Sequence, residues 1–165
     1  VESDETNIRF RPVLVPVDPS YPKVQNRRFA RVGEVIASLR VGVVDVEEQT
    51  IAWLPIQSAP EGHYFGQVAW AGNSQELVVE KLSRFRDRRE FLLVDVSSES
   101  VKTIYSESDP AWCMSSQEKN SGLIWINHGD SFIVISEKDV WRHAYLYSRD
   151  GKEQPTLTPV DYDII

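Results

Sequence analysis

The chain has 165 residues, enough for one ordinary domain with a core of its own. Hydrophobic residues make up 41% and charged residues 26%, a globular balance. The net charge of -7, with a pI near 5.0, argues against nonspecific nucleic-acid binding, which needs Lys and Arg to meet phosphates.

The chain opens acidic and without Met, as Val1-Glu2-Ser3-Asp4-Glu5-Thr6, with no signal-peptide pattern. That start suggests a segment of something longer. Residues 8–38 carry prolines at 12, 16, 19 and 22. Proline removes ladder donors, so this stretch is expected to be an edge strand or a projecting arm. Arg31–Arg40 comes nearest to helical periodicity, but Gly33 and the β-rich sequence after it argue against a helix.

From residue 39 on, short apolar and aromatic runs alternate with turn clusters at Glu47–Thr50, Ala71–Gln75, Arg84–Arg89, Ser97–Ser100, Asn127–Asp130 and Arg149–Gln154. The basic cluster Arg84–Phe85–Arg86–Asp87–Arg88–Arg89 is short and broken by an acid. It reads as a solvated turn rather than a phosphate-binding patch. No apolar run approaches the roughly 18 residues that a membrane helix needs.

An internal repeat underlies the pattern. Residues 42–60 lie over 92–110 without gaps, at an offset of 50, with Val44-Asp45-Val46 on Val94-Asp95-Val96. A looser copy follows at 145–159, where Ser148 replaces the Asp. Between the copies, 67–82 with Trp70 matches 123–138 with Trp125: strand, polar turn, strand. One unit is thus a four-stranded antiparallel meander, and a period of 40–50 residues with four strands marks a β-propeller blade. The expected fold is all-β, a partial propeller: arm or edge segment at 1–38, half a blade at 39–56, a full blade at 67–106 and most of another within 122–165. A propeller closes with about four blades or more, so this would be a slice of a larger one.

Several motifs then converge. Tyr21-Pro22-Lys23-Val24, with the "RFARVGEVIASLRVGVVDV" that follows, resembles a segment of the dipeptidyl peptidase IV family. So do "SESDPAW" (106–112, ending at Trp112), "VAWAGNSQEL", and the hairpin "SEKDVWRHAYLY" (136–147) with Trp141, His143 and Tyr145. The resemblance runs from about residue 8 to the end. It implies an eight-bladed propeller that caps an α/β-hydrolase domain, in a serine peptidase releasing X-Pro or X-Ala dipeptides. It also implies that the segment holding Pro16, Pro19, Tyr21, Pro22 and Lys23 projects as an arm that helps form a dimer. The implied partners are the rest of the propeller, the hydrolase domain, a second copy and peptide substrates.

The family's catalytic groups do not carry over. No G-x-S-x-G elbow occurs, and no D-W-x-Y-E-E context for the paired glutamates that bind a substrate's amine. Glu47-Glu48 is a carboxylate pair, but it falls in a turn. Two further departures stand out: Val140 and Val160 replace glycines of the family pattern, where a β-branched residue tolerates positive φ poorly.

Candidates for chemistry of the chain's own are few. His63, His128 and His143 lack metal-ligand spacing, and no cofactor is expected. His143 could move a proton if Glu137 or Asp139 oriented it, or it could pin a hairpin. Trp141, Tyr145 and Tyr147 are expected to alternate along one strand face. Cys113, alone, could be a nucleophile or a packed thiol, and the second reading is the commoner one. A single cysteine leaves the compartment open between cytosol and export. Three functions stay open: part of a serine exopeptidase, a non-catalytic binding propeller, or an inactive remnant.

Overall fold

The computed structural model describes residues 1–16, 20–116, 122–158 and 161–164. Among them, apart from a short 3-10 turn at Asn127–Gly129, every regular element is a strand. Strand β1 (Glu2–Asp4) pairs antiparallel with β4 (Ser38–Arg40). Between them, β2 (Phe10–Val15) and β3 (Lys23–Arg28) form a hairpin that joins no other sheet. Strands β5 (Gly42–Asp45) and β6 (Thr50–Trp53) make a second hairpin. The central sheet is a four-stranded meander of β7 (His63–Trp70), β8 (Glu76–Ser83), β9 (Arg88–Asp95) and β10 (Val101–Ser108). A three-stranded sheet follows, from β11 (Leu123–Ile126), β12 (Ser131–Ser136) and β13 (His143–Ser148). This is the all-β succession of antiparallel meanders that the partial propeller predicts.

Packing explains the apolar runs. Strands of the central sheet are covered on both faces, so β8 and β9 read as nearly continuous apolar sequence, with side chains sent to alternate sides. Val78, Phe91 and Tyr105 face the third sheet, where they meet Phe132, Val134, Tyr145 and Tyr147. Val79, Leu92 and Val94 face the other way, against Val41 and Leu54 near the β5–β6 hairpin. Each such side chain contributes about 1.5–3 kcal/mol on burial. One sheet is thus glued to a neighbour on each side.

The repeated Asp has a physical cause. Asp45 Oδ1 accepts the N–H groups of Glu47 and Glu48, both at 2.9 Å, closing the β5–β6 turn. Asp95 Oδ1 accepts those of Ser97 and Ser98 at 3.0 and 2.7 Å in the β9–β10 turn. Each carboxylate mimics a turn's carbonyl. These bonds, the backbone N–H of Ser98 foremost, hold the Asp95 carboxyl below its ordinary pKa.

The looser third copy is looser in space too. Beyond β13 the described residues run beside it without becoming a strand. It touches through a single bridge, Tyr147 to Glu153, and through scattered bonds such as Leu157 N–H to the Ala144 carbonyl at 3.0 Å. Pro155 has no N–H to offer a ladder there.

Val140, where the family resemblance implies a glycine, takes a backbone conformation that suits glycine. Its φ is +84°, and its side chain is 88% exposed. A β-branched residue thus sits strained in the turn. Val160 lies outside the described residues.

Candidate functional site

The hairpin 136–147 was the strongest candidate for chemistry, and its geometry is that of a pin. His143 is buried at the start of β13, and its Nδ1 lies 3.0 Å from Asp139 Oδ2 in the preceding turn. Opposite it, Ser136 donates its hydroxyl to Glu107 and accepts the Lys138 N–H at 3.1 Å. Lys138 spans the hairpin: its Nζ sits 4.1 Å from the centre of the Tyr145 ring and bonds Glu153 at 2.7 Å. Tyr145 and Tyr147 point into the core together. Trp141 does not share their face. It precedes β13, in the turn, and is partly exposed, so the expected alternation covers only the two tyrosines.

The other singled-out residues scatter. Trp125 packs edge-on against Phe132, 5.3 Å between ring centres, under the Arg149 guanidinium at 4.7 Å. Trp70 and Trp112 are half exposed, the latter 5.0 Å from the Arg86 guanidinium. Cys113 is buried, and its burial and the nearby Glu107 charge push its thiol up to about 11. That favours the inert, protonated form and the packed-thiol reading. Glu47 and Glu48 are exposed in their turn. Among the described residues no three His, Cys, Asp or Glu side chains converge as metal ligands.

What the sequence reading missed is a buried ionic cluster between the two larger sheets. Arg89, expected in a solvated turn, is 0% exposed. Only the tip of that basic cluster meets solvent; Arg89 belongs to β9 and points inward. Its Nε donates to Glu80 at 2.8 Å, and its Nη1 to Glu107 and to the Ile135 carbonyl at 3.3 and 3.2 Å. Glu80, also 0% exposed, further accepts the N–H of Gln67 at 2.9 Å and both the N–H and hydroxyl of Ser116. A bulge in β7 between Phe65 and Val68 makes room, and a Cβ at Gly66 would collide with the Glu80 carboxylate. The signal was present in the strand pattern: Glu80 shares the face of Val78 and Leu82, both buried.

A second arginine ties the opposite end of the same seam. Arg149 donates to the carbonyls of Ala71 and Gly129, at 3.0 and 2.6 Å, and pairs with Glu76. Burial opposes ionisation of Glu76, but hydrogen bonds from Arg149 and Asn73 hold its carboxyl below the ordinary value. Between the two arginines, the Gln67 side chain acts as a surrogate peptide. It donates to the Leu123 carbonyl at 2.9 Å and accepts the Leu123 N–H at 2.7 Å.

The base of the arm is tied down. Arg28 donates to the carbonyls of Glu5, Thr6 and Ile8, all within 2.8 Å, and Arg11 pairs with Glu34. Beyond that, Phe10, Leu14, Val24 and Tyr21, the last 79% exposed, face outward. Pro16 and Pro22 flank the tip and Lys23 opens β3. Pro19 lies outside the described residues.

The described residues form an all-β slice of successive antiparallel meanders, tied across one seam by the buried Arg89 and the partly buried Arg149. The chain belongs to the dipeptidyl peptidase IV N-terminal region family, whose model matches residues 1–165. It is 22% identical over 151 residues to a probable dipeptidyl peptidase 4 of Trichophyton verrucosum, and 22% over 156 residues to that of Emericella nidulans. Each match takes in 90% of this chain and 20% of the relative, so the chain spans about a fifth of the curated relatives' length. In structure it superposes on Porphyromonas gingivalis dipeptidyl peptidase 4 with a TM-score of 0.81 and 23% identity, over 99% of this chain and 23% of that one. A putative dipeptidyl aminopeptidase IV from Bacteroides ovatus gives 0.74 and 18%, over 90% and 20%. Among the described residues no helix is long and apolar enough to cross a membrane.

Proposed function

We propose that this chain is the propeller wall and dimer arm of a serine exopeptidase that releases X-Pro and X-Ala dipeptides. The family match along the whole chain supports this reading most. In it, residues 1–38 hold the arm and 39–165 hold consecutive blades. The Ser, Asp, His and amine-binding glutamates lie elsewhere in the full-length protein, in the hydrolase domain and in another blade. This segment restricts access to small peptides and pairs two copies.

The arm's physics supports the dimer. An isolated two-stranded hairpin is marginal in water, and this one displays Phe10, Leu14 and Val24 to solvent. A twofold contact would cover those side chains on both copies at once. Light-scattering mass of the full-length protein tests it, with Leu14→Glu and Val24→Glu combined as the variant. The expected result is a dimer that the double variant reduces to monomer with its thermal transition otherwise kept. A wild-type monomer at high concentration, or a dimer indifferent to both charges, refutes the arm's role.

A further inference from the structure

A pocket of about 520 Å³ lies between the base of the arm and the first strand of the central sheet. That volume falls inside the range for small-ligand sites, roughly 300–1,000 Å³. Segments 32–39 and 58–63 form its walls with the β8–β9 turn, and Val35, Ile36, Leu39 and Phe85 make the lining largely apolar.

The charged groups at its edge are already occupied or turned to solvent. The Glu34 carboxylate takes Arg11 and the Arg31 N–H, Arg84 donates to the Glu34 and Glu61 carbonyls, and the Glu61 residue is exposed. His63 differs. It is only 3% exposed, its ring stands edge-on to Phe65 at 4.7 Å, and among the described residues neither ring nitrogen has a hydrogen-bond partner. Burial, and then the positive charge of Lys81, holds the imidazole below its ordinary pKa of 6.5. At neutral pH it therefore presents one N–H donor and one bare nitrogen acceptor. A buried polar group left unpaired is costly, and a matching ligand recovers that cost.

We propose that this pocket binds an uncharged peptide stretch, with one apolar side chain against Ile36 and Leu39 and a backbone amide paired to His63. An amide supplies both the acceptor and the donor that a neutral imidazole lacks. Glu34 is already taken by Arg11 and Arg84 by the Glu34 and Glu61 carbonyls, so the rim gives a charged ligand little to pair with. To reach the ring nitrogens the occupant parts segments 33–37 and 58–62. Neither lies in a strand, so the movement breaks no sheet ladder. The inference stands apart from the family reading, since it needs no catalytic group.

Calorimetric titration of the intact protein with N-acetyl-leucine methylamide tests it, beside His63→Phe and Ser58→Trp. Ser58 lines the pocket but is exposed, so a tryptophan there fills the mouth without entering the core. The expected result is saturable binding by the wild type, weakened about tenfold or more by each variant. If His63→Phe fails to fold, Ser58→Trp decides alone. A wild type that shows no saturation, or a Ser58→Trp protein that binds as tightly as wild type, overturns the proposal.

Discussion

Replacing Arg89 with Met should be the costliest single change in the seam between the central and third sheets. The methionine fills much of the arginine's volume, so little cavity is left. What it removes is the cation between Glu80 and Glu107, whose side chains are 0% and 9% exposed. Breaking a buried ion pair from one side costs about 3–5 kcal/mol, because the remaining charge stays desolvated. Glu80 keeps its bonds from Gln67 and Ser116, which places the expected loss near the lower figure, about 3 kcal/mol. Glu80→Gln on the Arg89→Met background removes the stranded charge while keeping an acceptor for Gln67 and Ser116. The pair should then show a coupling of about 1–3 kcal/mol, so that the double variant is more stable than the sum of the singles predicts. Urea unfolding of the intact protein, read as a double-mutant cycle, measures both. A loss under about 1 kcal/mol for Arg89→Met, or strict additivity, would refute the idea that this cluster holds the seam.

Val140→Gly should stabilise the protein. A β-branched residue at φ +84° stores about 1–3 kcal/mol of strain, offset in part by the entropy glycine adds to the unfolded chain; a net gain near 1 kcal/mol in the same unfolding assay is expected, and a loss would show that the turn is unstrained. His63 should make stability fall on mild acidification. Its folded pKa lies below the ordinary 6.5, so the unfolded chain binds the proton first. The stability this contributes is complete above about pH 6.5 and is lost as pH drops toward the folded value. Melting temperatures of wild type and His63→Phe between pH 8 and 5 compare directly, and equal slopes would contradict the assignment.

The β character, the turns and the repeat were legible because they rest on local chemistry. Turn residues and period-two apolar runs sit next to one another in the chain, and the repeated Asp45 and Asp95 each close a turn with their own neighbours. What was not legible depends on partners far away in sequence. Arg89 looks like one more charge in a basic turn until β12 is laid beside β9 and offers it the Ile135 carbonyl. Glu80 looks like a polar position in a strand until the β7 bulge and Ser116 surround it. Trp141 lies outside the strand that its spacing to Tyr145 and Tyr147 predicts, since the turn at Val140 continues past it before β13 begins. His143 was rightly tied to Asp139 as a near neighbour, whereas nothing in the order of residues marked His63 as the histidine left unpaired.

In the proposed function this segment is scaffold, and the bond-breaking groups lie elsewhere in a dipeptide-releasing serine peptidase. Hydrolysis of Gly-Pro-p-nitroanilide tests it most directly, measured with the full-length protein and with these 165 residues expressed alone. The full-length protein should release nitroaniline and lose that activity to a serine-reactive fluorophosphonate, while the segment alone stays at background. Hydrolysis by the isolated segment, or an intact protein inert toward every X-Pro and X-Ala substrate, would contradict it.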